Sequence, residues 1–163
     1  MNAVVHLNTT IMNEIETLAK DLMKAHGLTN WRFAWNNTRT SFGKCKHGSR
    51  MIELSRILSP LRSMDEVKNT ILHEIAHALV GGSHGHDMAW RYKFVSIGGN
   101  GQRCSSTANI DMEQVKTSGV NYVGTCPNGH TVVRFRMPKR ESSCALCSSR
   151  FDRRYILHFE RQA

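Results

Sequence analysis

Residues 63–90 read SMDEVKNTILHEIAHALVGGSHGHDMAW, and the rest of the chain is organised around them. Ser63-Met64-Asp65-Glu66 is a capping box. A serine hydroxyl and a glutamate three residues on satisfy free N–H groups at a helix start, and two acids face the positive end of the helix dipole. Val67, Ile71, Leu72, Ile75, Ala78 and Leu79 then recur at helical spacing and form one apolar side. Gly81-Gly82 ends the run, because glycine accepts the left-handed backbone that a helix terminus needs. The spacing predicts a helix to about Val80 and another over Asp87–Ile97, with Trp90, Phe94 and Ile97 facing inward.

Inside the first of these helices lies His73-Glu74-Ile75-Ala76-His77, an HExxH pattern. Positions four apart share a helix face, so two imidazoles can reach one Zn²⁺ at about 2.0–2.1 Å each. Glu74 follows directly, beside the ion but outside its ligand set, where it can hold and deprotonate the ion's water. With nine His and eight Glu in 163 residues, chance supplies about 0.02 such patterns. The capped helix adds weight, and so does Ser83-His84-Gly85-His86, which brings four of the nine histidines within fourteen residues. Catalytic zinc takes three protein ligands and keeps one position open. An HExxHxxGxxH arrangement would need Gly at 80 and His at 83, where the chain has Val80 and Ser83. No Asp or Glu occurs from Met88 to Ile110 to serve as an acidic third ligand. His84, His86 and Asp87 remain, each within reach once the glycines turn the chain back.

Upstream, Ile11, Ile15, Leu18 and Leu22 mark an amphipathic helix over Thr9–His26, capped by Asn8, Thr9 or Thr10 and stopped by Gly27. Next come WRFAWN, TRTSFGKCKHG and RMIELS, short alternating runs separated by turn residues, which predict a small antiparallel sheet. Trp31, Phe33 and Trp35 give it an aromatic face suited to core packing. Gly43 in mid-strand signals a bulge or a close backbone approach, and Cys45 reads as a buried free thiol. The strand at Ser41–Cys45 is a candidate edge for pairing with an extended substrate. From Gly98 to about Gly119 the pattern is polar, with at most one short helix, and Cys104 reads as a lone thiol.

HEIAHALVGGSHGHDMAW resembles the SprT-like zinc metalloproteases, which include the Spartan proteases of DNA–protein crosslink repair. Their HExxH is followed by a variable spacer, a Gly-His pair and an aromatic, matched here by Gly85-His86 and Trp90. Phe33 to Asn37, Gly43-Lys44-Cys45 and Ile52-Glu53-Leu54-Ser55 match the family's strands, so the resemblance covers roughly residues 9–105. It implies a zincin-like α+β domain with helices packed on a small sheet, His86 as third ligand beside His73 and His77, and Glu74 as the catalytic base. It also implies a protein substrate bound or crosslinked to DNA. Asp87 departs from the family, which has Gly there. It could orient His86 or compete with it, and His84 would stand behind the ligands or face substrate.

A second constellation pairs Cys126-Pro-Asn-Gly-His130 with Cys144-Ala-Leu-Cys147, thirteen residues apart. Three thiolates and one imidazole on two tight turns form the donor set of a closed structural zinc site. Strand-like runs (VNYVG, TVVRFRM, RRYILHFE) surround it, so residues 119–163 read as a small β zinc ribbon, after a metalloprotease domain over 1–118. A unit of that size has too little core to fold unaided, so a metal staple makes physical sense. From Gly119 onward there are eight Lys or Arg against three acids. Arg134, Arg136, Lys139, Arg140, Arg153 and Arg154, interleaved with Phe135, Phe151 and Tyr155, suit phosphate contact and base stacking, with single-stranded DNA the favoured partner.

Composition bounds these readings. The net charge of +9 favours polyanionic partners. No stretch approaches the roughly 20 apolar residues of a membrane span. The odd count of five cysteines and the absence of an evident secretory signal favour a reducing compartment, cytoplasmic or nucleoid-associated, not a secreted disulfide scaffold. The expectation is therefore a monomeric zinc endopeptidase with one catalytic and one structural Zn²⁺. The competing reading is a non-catalytic two-zinc protein that binds nucleic acid or regulates, and the presence of Glu74 argues against it.

Overall fold

In the computed structural model the helix that carries HExxH, α2 (Met64–Val80), is preceded by α1 (Asn2–Ala25) and three strands and followed by α3 (Met88–Ser96). The structure describes residues 2–102 and 121–162, with side chains from residue 9. Cys104, the polar connection after Gly101 and the boundary expected at 118 lie outside the described residues. Among the described residues the chain divides into two compact units, the first on residues 2–60 and 64–102 and the second on 61–63 and 121–162.

The first unit is α+β. β1 (Arg32–Asn36), β2 (Gly43–Lys46) and β3 (Met51–Ser55) form a sheet in the order β1-β3-β2. β2 pairs with β3 antiparallel, as expected, but β1 and β3 are parallel, so the sheet is mixed and not wholly antiparallel. Two reversals, over 37–42 and 47–50, return β3 to the direction of β1. Its side chains then decide the order: Ile52 and Leu54 are fully buried, which demands the middle position, while GKCK with its lysines suits an edge. Ile52 and Leu54 pack with Ile15, Ala19 and Met23 of α1 and Val67, Ile71 and Ile75 of α2. Trp31, Phe33 and Trp35 lie against this core, so the aromatic face is packing.

α1 begins at Asn2, several residues before the expected Thr9, so Asn8, Thr9 and Thr10 are not its cap. The preceding residues, AVVHL, contain no helix breaker, and an uninterrupted helix outcompetes a local cap. Gly27 (φ +77°) and Gly81 (φ +93°) end α1 and α2 as read.

In the second unit β4 (Tyr122–Thr125) lies between β5 (Thr131–Arg134) and β6 (His158–Arg161), antiparallel to both. Strand structure stops at Arg134 and resumes only at His158, so the runs to Met137 and from Arg153 are shorter as strands than their alternation suggests. The buried set includes Cys126 and Cys144 with Val132 and Leu157. In this unit, then, candidate ligands are part of the core.

Candidate metal centres

α2 places His73 and His77 one turn apart on one face, and the turn after Gly81 brings His86 over them. His86 Nε2 lies 3.0 Å from His73 Nε2 and 3.2 Å from His77 Nε2. Tetrahedral angles with bonds of about 2.0–2.1 Å put donor nitrogens about 3.3 Å apart, so the three fit a single divalent ion. Burial holds His73 down to about 3, with the neighbouring His77 and His86 adding to it. Burial likewise holds His77 to about 4, with His86 and His47 contributing. Both are thus kept in the neutral form that ligates a metal.

Trp90, 1% exposed, fixes the trio. Its ring meets His73 edge-on at 4.7 Å and His86 at 4.6 Å, and stacks on His77 at 5.3 Å. Phe94 backs both His73 and Trp90. A Cβ on Gly99 would fall 1.9 Å from the Phe94 ring, so that glycine has a packing role beyond ending α3.

Asp87, one of the three candidates for third ligand, is engaged elsewhere. Its carboxylate caps α3, accepting from Trp90 N–H at 2.9 Å, and pairs with His84 Nδ1 at 2.7 Å. These bonds, Trp90 first and then His84, hold it below the usual carboxylate range. Asp87 and His84 are therefore partners of each other, and His86 joins His73 and His77. α3 starts from Asp87 as the sequence predicts, but the residue's role there as N-cap was not read from the sequence, although Asp just before a helix is the usual signal for it.

Glu74 is 7% exposed. Burial pushes its carboxyl up to about 7, against the opposing effect of a hydrogen bond from Cys45 backbone N–H. β2 is the strand that supplies this N–H, and Gly43 on it touches the Glu74 side chain, so the close approach expected at Gly43 is real. Since Cys45 N–H is already engaged, the edge has one donor fewer for pairing with a substrate strand. Cys45 itself is part-buried, and burial, then the nearby Glu74 charge, pushes its thiol up to about 12. It stands 3.6 Å from His47 Nε2 and is a poor nucleophile.

The second centre brings together all four expected residues. Cys126 Sγ lies 3.6 Å from His130 Nδ1 and 3.8 Å from Cys147 Sγ. His130 Nδ1 is 3.2 Å from Cys147 Sγ and 3.6 Å from Cys144 Sγ. A tetrahedral ion with bonds of about 2.3 Å to sulfur and 2.0–2.1 Å to nitrogen spaces such atoms by about 3.6–3.8 Å. Two tight turns present them: Gly129 N–H bonds Cys126 C=O at 2.9 Å with φ +79° at Gly129, and Cys147 N–H bonds Cys144 C=O at 3.2 Å. Burial alone would raise the Cys126 thiol, but N–H groups of Asn128 and His130 bring it down to about 7, toward the thiolate.

All six basic residues singled out, Arg134, Arg136, Lys139, Arg140, Arg153 and Arg154, are exposed. Arg134 donates from Nη1 to its neighbour Val133 C=O, and Arg154 forms a forked pair with Asp152 at 2.7–3.2 Å and lies over Tyr155. Lys139, Arg140, His158 and Phe159 line an open depression of about 270 Å³.

The family model for SprT-like proteins matches residues 8–112. The chain belongs to the SprT-like family. No curated protein and no solved structure matches it. The SprT-like match takes in α1 from residue 8, α2, α3 and the three imidazoles and ends before the cysteine cluster, so the second unit is described on its own geometry. No helix among the described residues is long and apolar enough to cross a membrane.

Proposed function

We propose that this SprT-like protein is a zinc-dependent endopeptidase, acting as a monomer on proteins bound or crosslinked to single-stranded DNA, with a second, structural zinc in a C-terminal ribbon. One observation carries the reading: three imidazole nitrogens converge within 3.0–3.2 Å contacts on the face of α2, beside the buried carboxylate of Glu74. A purely structural histidine site has no use for that carboxylate.

His73, His77 and His86 would hold the catalytic zinc. Bound there, zinc supplies Lewis acidity for a peptide carbonyl and makes water acidic enough to lose a proton near neutral pH. Glu74 takes that proton as the water attacks, then delivers it to the leaving amide nitrogen. Trp90 keeps the three imidazoles in place through the cycle. Cys126, His130, Cys144 and Cys147 would hold the second zinc and the fold around it, which calls for a reducing compartment. Exposed Arg136, Lys139, Arg140 and Arg153, with Phe151 57% exposed, supply cations and an aromatic face for DNA, supporting a nucleoid-associated setting.

The test is cleavage of a loosely folded basic protein by the zinc-loaded chain, with and without single-stranded DNA, against Glu74→Gln. The variant should keep its zinc and lose at least a hundredfold in rate, on the scale of a lost general base, and DNA should accelerate the native chain. Equal cleavage by both proteins would leave the non-catalytic nucleic-acid-binding reading. Cleavage indifferent to DNA and salt would keep the peptidase and remove the DNA setting.

A further inference from the structure

Gly43 opens β2, the edge strand of the first sheet. A Cβ built on it would lie 2.7 Å from Oε1, 2.8 Å from Cγ and 3.0 Å from Cδ of Glu74. Carbon and oxygen do not approach that closely without one of them moving. Gly43 is not among the glycines with left-handed φ, so its backbone does not demand glycine; the contact does. Two residues on, Cys45 gives its N–H to the same carboxylate. One strand edge therefore meets Glu74 twice, once as a wall and once as a donor, while α2 holds it from the other side through its own backbone.

The geometry points to Gly43 as a positioning residue: by lacking a side chain it lets the β2 edge close on Glu74 and fixes where that carboxylate stands relative to His73, His77 and His86. This rests on the reading of Glu74 as the general base. It has a distinctive consequence. The atoms that must yield to a Cβ are the far end of a flexible side chain, so the fold can absorb the change while the base cannot. Most glycines whose replacement matters cost stability first; here the loss should fall on turnover.

The experiment is Gly43→Ala in the full, zinc-loaded chain, read by kinetics and by the amide resonance of Cys45. The variant should match the native chain in zinc content, KM and melting temperature. Its kcat should fall about a hundredfold, the scale of an ångström-level misplacement of a catalytic group. The Cys45 amide proton should shift as its acceptor moves. In a Glu74→Ala background, where the crowded atoms are gone, Gly43→Ala should leave that amide unchanged and lower activity no further. If Gly43→Ala alone folds poorly, recovery of folding in the Glu74→Ala background supports the same contact. The proposal is overturned by a native Cys45 signal and native kcat in Gly43→Ala, or by equal shifts or equal unfolding in both backgrounds. A native chain that cleaves nothing counts against the peptidase reading, while the amide comparison still decides the role of Gly43.

Discussion

The histidine centre and the cysteine centre bring similar donors together by opposite means. His73, His77 and His86 are mounted on a helix and turn that already pack on a core of their own, with Ile71 and Ile75 of the same helix fully buried. Cys126 and Cys144 sit inside the small core they would staple. One centre is an addition to a fold that stands without it, with three donors and a carboxylate beside them. The other has four donors and is a condition of its fold. A catalytic site needs the first arrangement, because chemistry requires a rigid frame and a free position; a structural site needs only the second.

Metal removal should separate them most sharply. Stripped by a chelator, or carrying Cys144→Ser, the protein should lose amide-exchange protection throughout β4–β6, since structural zinc contributes about 10 kcal/mol or more to such units. α1 and α2 should stay protected in the same sample. Loss of protection in both units together would end the contrast.

Trp90→Ala probes the frame of the histidine centre. Removing a ring that is 1% exposed should cost about 3–5 kcal/mol in urea denaturation of the first unit. It should also weaken metal binding there about 10- to 100-fold in a competition titration, as loss of a ligand's support does. Unchanged affinity would show that the imidazoles orient themselves.

The smallest effect is on pH. In the metal-free protein His73 and His77 are held far below 6.5, so from about 6.5 downward the unfolded chain binds protons that the folded one refuses, and stability falls. Glu74, raised from 4.5 to about 7, works the other way over that window, because its folded form takes up the proton first. Two histidines outnumber one glutamate. The urea midpoint of the first unit should therefore drop between about pH 6.5 and 4.5, and Glu74→Gln should steepen the drop. A midpoint rising on acidification would contradict the burial assigned to the histidines.

The helices and both donor sets were legible because their signals are local: a capping box, a four-residue spacing, two Cys/His turns. The parallel pairing of β1 with β3 was not. It depends on the apolar weight of Ile52 and Leu54 against the lysines of β2, a competition among strands that no single strand displays. The sequence left His84, His86 and Asp87 as candidates for the third position, because the engagement of Asp87 by Trp90 N–H and His84, and the approach of His86 to His73 and His77, depend on the fold. Gly43 announced a close approach, and only the fold names Glu74 as what approaches.

Zinc content per chain tests the two-centre account most directly. The native protein should hold two equivalents, Cys126→Ser/Cys144→Ser one, and Glu74→Gln two. A single equivalent in the native chain that vanishes in the double cysteine variant would mean that His73, His77 and His86 hold no metal.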